Sequence, residues 1–561
     1  MTEDLIENAK TASRGGVQIF FSNILTTLVS AVGSIIVIRV LSPTEYGLYT
    51  IAGIPASMMG IFSDWGVNAA LTKYIAQYRS EGKENTIASV LHAGLIFKMG
   101  LGLILASLTF LLSEFLAGFV LQKSEAMLLV QVSCLLVFGN QLCDTSWSIF
   151  LGFETMNYNA LLQILKAVLK ALLAPLLVLL GFEALGAVLG WCIGNLAGGV
   201  TCVLIIFFSH YRPLRKVSSE GTRNFIEETR MMLRYGLPLG VLTIVGGFGG
   251  QLYLFLMTRY SSTFDIGNYG VASQFMVLVA FITFPISNVI FPFFSKISGD
   301  KARGKLEAAF RASVKYVSFL VLPAAVGVMA LSQPLIGVLF GDKYSLAPLF
   351  LVFLSVGSLY SGLGSMSMGS LLSSQGETRV ILRIGLLTLL VGLPLSFVLI
   401  PYLGVLGFIV NNLITQAVGT ILYIYWVRKL FKFKMWISQS VRTYLAAFIM
   451  GGLVWGSLIL LRLWVGINNH NILLGSGFLV GISSYLLLLP LIGAIKPTEL
   501  NDLTVISKQF GPLNSIFNIT FAILTRMVRI RNRMVGFYKS SSSRKPAVKT
   551  FEEQVRKAGS T

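Results

Sequence analysis

The chain has 561 residues, 55% hydrophobic and only 12% charged, against roughly a quarter charged in an ordinary soluble protein, so its excess apolar surface must face lipid. Its net charge of +20 would suit nucleic acid, but the cations are distributed between apolar runs, which argues for a topology signal instead. The four cysteines, Cys134, Cys143, Cys192 and Cys202, all fall inside apolar stretches without metal-ligand or disulfide spacing and read as small packing residues.

The amino end, Met1 to Arg14, is polar. The first apolar run, Val17–Ile38, is too long and wrongly flanked for a cleavable signal peptide and is expected to remain as a span. In the first half it is followed by Tyr46–Asn68, Ile87–Leu111, Met127–Leu151, Tyr158–Leu180 and Leu185–Phe208. After a long basic loop come Tyr235–Met257, Tyr269–Phe291, Tyr316–Leu339, Leu349–Leu372, Val380–Ile400 and Leu403–Tyr425, and finally Tyr444–Trp464 and Leu473–Ile495. Each run is long enough to cross a hydrocarbon core of about 30 Å as a helix. The expectation is an all-α polytopic membrane protein of about 14 transmembrane helices.

Charge sets the orientation, because Lys and Arg accumulate on cytoplasmic loops. With the amino end inside, 36 of the 44 lysines and arginines fall on or beside cytoplasmic segments. The external loops hold only Arg39, Lys123, Arg259, Lys343 and Arg462, and Lys98, Lys166 and Lys170 lie within spans. Both termini are therefore expected in the cytoplasm, and the protein in the cytoplasmic (plasma) membrane.

The chain also repeats itself. Arg39, Ser42, Glu45, Gly47, Tyr49 and Ala52 return 220 residues later as Arg259, Ser262, Asp265, Gly267, Tyr269 and Ala272, and Arg14 and Gly16 return as Arg234 and Gly236. Two halves of six spans follow, and because six is even they are related by a pseudo-two-fold axis along the membrane normal, with a cleft between them as the pathway. The expected division is an amino-terminal six-helix bundle at 1–210, a cytoplasmic linker at 211–234 and a second six-helix bundle at 235–428. Two additional helices occupy 429–496, and a cytoplasmic tail runs from 497 to 561. Within the tail, Leu513–Tyr538 interleaves bulky apolar residues with Arg526, Arg529, Arg531 and Arg533 and reads as an interfacial helix on anionic membrane lipids.

No catalytic constellation stands out. His92, His210 and His470 are far apart in sequence, the Gly475–Gly481 glycines have the wrong spacing for a dinucleotide loop, and no Walker-type lysine loop occurs, so neither an enzyme nor a cofactor is expected. What remains are ionisable groups at membrane depth. Lys98 lies about 11 residues into the third span, and Lys166 and Lys170 about 8 and 12 into the fifth, where they share a face. A central lysine costs about 2.5 to 3.5 kcal/mol to insert, so the three should face an aqueous cavity or an acid. Asp64 and Asp144 are the available acids. One reading pairs them with the lysines to hold the first bundle together, and the other makes a cationic cavity for an anionic headgroup such as a phosphate or diphosphate.

Arg39-Val-Leu-Ser-Pro-Thr-Glu-Tyr-Gly47, Phe62-Ser-Asp64-Trp-Gly66, Gly267-Asn-Tyr-Gly-Val-Ala-Ser-Gln274, Phe291-Pro-Phe-Phe-Ser-Lys296 and Leu399-Ile-Pro-Tyr-Leu-Gly404-Val-Leu-Gly407, with the repeat, resemble the polysaccharide flippases. These are the O-antigen and exopolysaccharide exporters of the multidrug/oligosaccharidyl-lipid/polysaccharide superfamily. The resemblance implies alternating-access translocation of a polyprenyl-(di)phosphate-linked oligosaccharide, with glycan polymerases or glycosyltransferases as partners and no nucleic acid. On that reading Lys98, Lys166 and Lys170 are candidate headgroup contacts, Asp64 and Asp144 orient or titrate against them, and Arg39 and Arg259 position the outer ends of the cleft. Tyr253 stands where many relatives carry an acid after a Gln-Leu pair. A multidrug and toxin extrusion antiporter, a lipid II flippase and a non-transporting scaffold of a glycan assembly complex are the alternatives.

Overall fold

In the computed structural model, residues 22–217, 225–277, 294, 303–433, 437–495 and 526–527 are described. Apart from 526–527, the tail expected at 497–561 lies outside them, as do most of the linker's middle and the second part of the eighth expected span.

Helix α1 spans Ser22–Val40, and α2 (Pro43–Ile61) starts where Ser42 caps it, its Oγ accepting from the Glu45 N–H at 3.1 Å with Pro43 at the first position. Helices α3 (Val67–Ser80), α4 (Glu84–Leu111), α5 (Met127–Gly152), α6 (Met156–Leu177), α7 (Glu183–Ile205) and the short α8 (Arg212–Val217) complete the first half. The second half opens with α9 (Phe225–Tyr260) and α10 (263–277). At the start of α10 the repeated sequence rebuilds the same cap, because Ser262 Oγ accepts from the Asp265 N–H at 3.0 Å and donates to its carboxylate at 2.7 Å. Helices α11 (Arg303–Ala330), α12 (Ser332–Phe340), α13 (Ala347–Leu359), α14 (Ser365–Ser374), α15 (Thr378–Phe431), α16 (Ile437–Trp464) and α17 (His470–Ile492) follow. No strand occurs among the described residues.

Among the described residues, eight helical stretches are long and apolar enough to cross a membrane, or up to ten when two bent pairs are each taken as one span. Two of the eight, Met156–Leu214 and Thr378–Phe431, are 59 and 54 residues long. At about 1.5 Å per residue each far exceeds a hydrocarbon core of about 30 Å. They reverse at Gly181 (φ 91°) and Gly404 (φ 55°), in a region of backbone space that glycine enters without penalty. Past Gly181, Gly186 packs on Leu177, Gly190 on Ala174, Gly194 on Lys170 and Gly198 on Lys166, which is an antiparallel register with a glycine at each turn of α7. Past Gly404 the chain repeats the manoeuvre, with Gly407 on Leu399, Gly392 beside Thr415 and Gly419 beside Thr388.

Local breaks interrupt four of the expected runs, among them the seventh, which bends by 55° between Val241 and Gly246. The second ends at Ile61, because Gly66 adopts φ 77° and the Asp64 carboxylate accepts from the Asn68 N–H at 3.2 Å to start α3. The ninth breaks at Leu331 between α11 and α12, and the tenth bends by 52° at Gly364, whose φ is 93°.

The halves meet through reciprocal close contacts. A side chain at Gly47 would strike the Thr263 backbone, and one at Gly267 would strike the Pro43 backbone. Since 47 and 43 repeat as 267 and 263, each half offers the other the same surface. Towards the opposite ends of α2 and α9, Gly66 packs directly on Gly236 and Gly240 on Trp65. A core containing Val37, Tyr46, Ile51, Met257, Ile266, Phe340 and Tyr344 unites both halves. The last two helices share a separate core with α11, and Tyr485 donates to the Phe319 carbonyl at 2.9 Å.

Candidate functional site

Between the halves lies a cavity of about 410 Å³. From the first half, α1 presents Thr26, Ser30 and Ser34, one on each successive turn, and α6 presents Gln163, Lys166 and Lys170 at a spacing that keeps them on one face. Helix α7 adds Trp191 and Asn195. The second half closes the wall with neutral groups, Gln274, Phe275, Leu339 and Phe340 among them, so the cations are confined to one side. Gln274 reaches across the boundary, its amide 3.5 Å from the Ser34 hydroxyl.

The glycines of α7 make room for the lysines. A Cβ at Gly194 would sit 3.1 Å from the Lys170 backbone nitrogen, and one at Gly198 would sit 2.8 Å from Lys166 Cγ. Lys170 has no carboxylate partner among the described residues; its Nζ stands 4.7 Å from the centre of the Trp191 ring. That ring is seated on Gly53 and touches Tyr49, with centroids 5.7 Å apart. Lys166 has no ion pair among the described residues, and exposed Asp144 is within electrostatic reach of it.

Lys98 is placed differently. It is 1% exposed and lies outside the cavity lining, its Nζ donating to the Ser63 carbonyl at 2.9 Å and standing 3.6 Å from Asp64 Oδ1. Gln141 donates both to the same Ser63 carbonyl and to the Lys98 carbonyl, at 3.2 Å each. This network holds the 62–66 turn, the segment that packs on Gly236 and Gly240. Lys98 and Asp64 thus meet each other, whereas Lys166 and Lys170 meet the cavity.

Arg39 and Arg259 lie at the far ends of α1 and α9, and neither lines the cavity, although Ile38 beside Arg39 does. The Arg39 carbonyl accepts from Lys343 Nζ at 2.6 Å, and Arg259 donates to the carbonyls of Phe119 and Val120 at 3.0 and 2.9 Å. Burial, reinforced by the Arg39 guanidinium, holds the Lys343 ammonium below the usual lysine range.

Sequence reading missed the neutral part of the lining. The Thr26-Ser30-Ser34 stripe was visible as polar residues four apart in an apolar run. Trp191, Asn195 and Gln274 carried no comparable signal, since isolated amides and aromatics are ordinary in membrane helices. Among the described residues no group of three or more His, Cys, Asp or Glu could hold a metal ion. Two ammonium groups without ion pairs among the described residues, surrounded by hydroxyls and amides, have the charge and the donors that suit an anion carrying further hydrogen-bonding groups.

The family described as polysaccharide biosynthesis protein matches residues 36–349, more than half of the chain. The chain belongs to this family. Its members are membrane transporters and not enzymes. The chain is 21% identical over 499 residues to the probable low-salt glycan biosynthesis flippase Agl15 of Haloferax volcanii, covering 88% of this chain and 98% of that one. It is 24% identical to a putative O-antigen transporter of Shigella dysenteriae, covering 65% and 88%. Among solved structures, the lipid II flippase MurJ in an inward closed conformation superposes with a TM-score of 0.66 at 17% identity, covering 84% of this chain and 97% of that one. An inward-facing multidrug resistance transporter of the MATE family follows at 0.59 and 18%, covering 72% and 94%. These two show the fold, that of polytopic membrane transporters.

Proposed function

We propose that this polysaccharide-family flippase carries a polyprenyl-(di)phosphate-linked oligosaccharide across the cytoplasmic membrane by alternating access, with the phosphate held between Lys166 and Lys170. The observation that carries this reading is the pair of cavity lysines without carboxylate partners, on one face of α6 among neutral hydrogen-bonding groups. The hydroxyls and amides suit sugar, Trp191 offers an aromatic face, and the prenyl tail stays in lipid. Glycan polymerases or glycosyltransferases are the fitting partners, and neither reaction chemistry nor a cofactor is required.

On this reading the chain crosses the membrane about 14 times, with both ends inside, as two six-helix bundles at 1–210 and 235–428 joined by 211–234 and followed by two helices at 429–496. The reciprocal glycine contacts and the paired hairpins at Gly181 and Gly404 support that division. A multidrug antiporter of organic cations is the second reading, on fold grounds alone, and the cationic wall disfavours it. Replacing Lys166 and Lys170 together by alanine is expected to abolish surface glycan at unchanged protein abundance. Normal glycan in that variant would exclude the headgroup site.

A further inference from the structure

A second recess, of about 550 Å³, opens between α3 and the start of α9, where Tyr74 faces Arg230, Met231, Arg234 and Tyr235, with Glu227 at its edge. Arg230 and Arg234 are one helical turn apart and exposed. Lys73 adds a third cation, its Nζ 3.9 Å from the centre of the Tyr235 ring and 4.9 Å from that of Tyr74. The two rings meet edge to face at 5.8 Å, and Tyr78 stacks behind Tyr74 at 5.9 Å. Two lining arginines, with Lys73 held against the aromatic floor beside them, thus outnumber the one lining carboxylate.

Around this recess α9 is apolar and exposed. Phe225 and Ile226 precede the arginines at 40% and 71% exposure, and Leu237 and Leu239 follow at 39% and 40%. A basic recess bordered by tyrosines and flanked by apolar side chains matches a ligand with an anionic head and hydrocarbon tails. The recess is separate from the cavity of Lys166 and Lys170 and shares no residue with it.

We propose that the recess between α3 and α9 binds the phosphate of an anionic membrane phospholipid, held by Arg230, Arg234 and Lys73. Its walls come from segments that flank the Gly66–Gly236 contact, so the bound lipid braces the first half against α9 at this end.

The test uses the full chain in detergent micelles and follows thermal unfolding through the reaction of its free cysteines, three of them buried. Dioleoylphosphatidylglycerol is expected to raise the midpoint by a few degrees and dioleoylphosphatidylcholine to leave it unchanged. The Arg230→Gln/Arg234→Gln variant should lose most of that shift, while Arg379→Gln/Arg383→Gln, which removes the same charge from another exposed site, should keep it. Lys166→Gln/Lys170→Gln should keep it as well, which separates this site from the transport cavity. Equal loss in both arginine pairs, or loss in the cavity variant alone, would overturn the proposal. Stabilisation by inorganic pyrophosphate equal to that by phosphatidylglycerol would overturn the assignment to a lipid.

Discussion

Lys98, Lys166 and Lys170 are one residue type at one expected depth, and the structure divides them by what surrounds each. Lys98 is buried against the Ser63 carbonyl and Asp64, so its removal leaves that carbonyl with the Gln141 amide alone and takes from the Asp64 carboxylate its partner cation. Because Asp64 keeps 32% of its side chain exposed, Lys98→Ala should cost about 3 kcal/mol, near the lower end of what breaking a buried pair costs. Lys166→Ala and Lys170→Ala should leave the unfolding midpoint within about a degree, since neither lysine makes an ion pair among the described residues and the Trp191 ring and the Asp144 charge only offset the desolvation of a cation in a recess. Unfolding curves of the three single variants measure this contrast, and equal destabilisation by all three would refute it. Depth and type were legible in the sequence, as was the shared face of Lys166 and Lys170. The Asp64–Lys98 pairing was one of two open readings, because it depends on how the 62–66 turn comes back over α4.

The α6–α7 hairpin shows how small residues set an element's geometry. Gly186, Gly190, Gly194 and Gly198 recur every fourth residue and face α6 along its length. A methyl at Gly190 would overlap the Ala174 backbone, and backbone yields far less readily than the end of a flexible side chain. Gly190→Ala should therefore lower the unfolding midpoint and the amount of folded protein, by about 1 to 3 kcal/mol as for other overpacked sites. Gly100→Ala, in a helix position with open space around it, should be neutral or slightly stabilising through helix propensity. A Gly190→Ala variant as stable as wild type would show that the hairpin has slack. Glycine abundance was plain in the sequence and suggested close packing. Which glycines face a neighbour and which face open space was not, because composition carries no azimuth.

At the scale of the whole molecule, the sequence repeat reappears as reciprocal contacts between the halves. Gly47 against Thr263 and Gly267 against Pro43 are equivalent contacts, so Gly47→Leu and Gly267→Leu should open the same end of the cavity to a similar degree. A cysteine at Ser34, on the cavity wall, should then react faster with a hydrophilic thiol reagent in either background. Faster labelling in one background only would break the equivalence. The sequence by itself determined the class of molecule, the periodic apolar runs, the charge asymmetry and the 220-residue repeat, because each follows from local composition and from lipid's intolerance of unpaired polar groups. Tertiary structure alone decided that Lys98 would be a brace while Lys166 and Lys170 face a cavity, that Trp191 and Gln274 would join them there, and that a second basic recess would form where α3 meets α9. Those outcomes depend on distances between segments remote in sequence, set by the glycine contacts that let the two halves approach, and no local pattern encodes such distances.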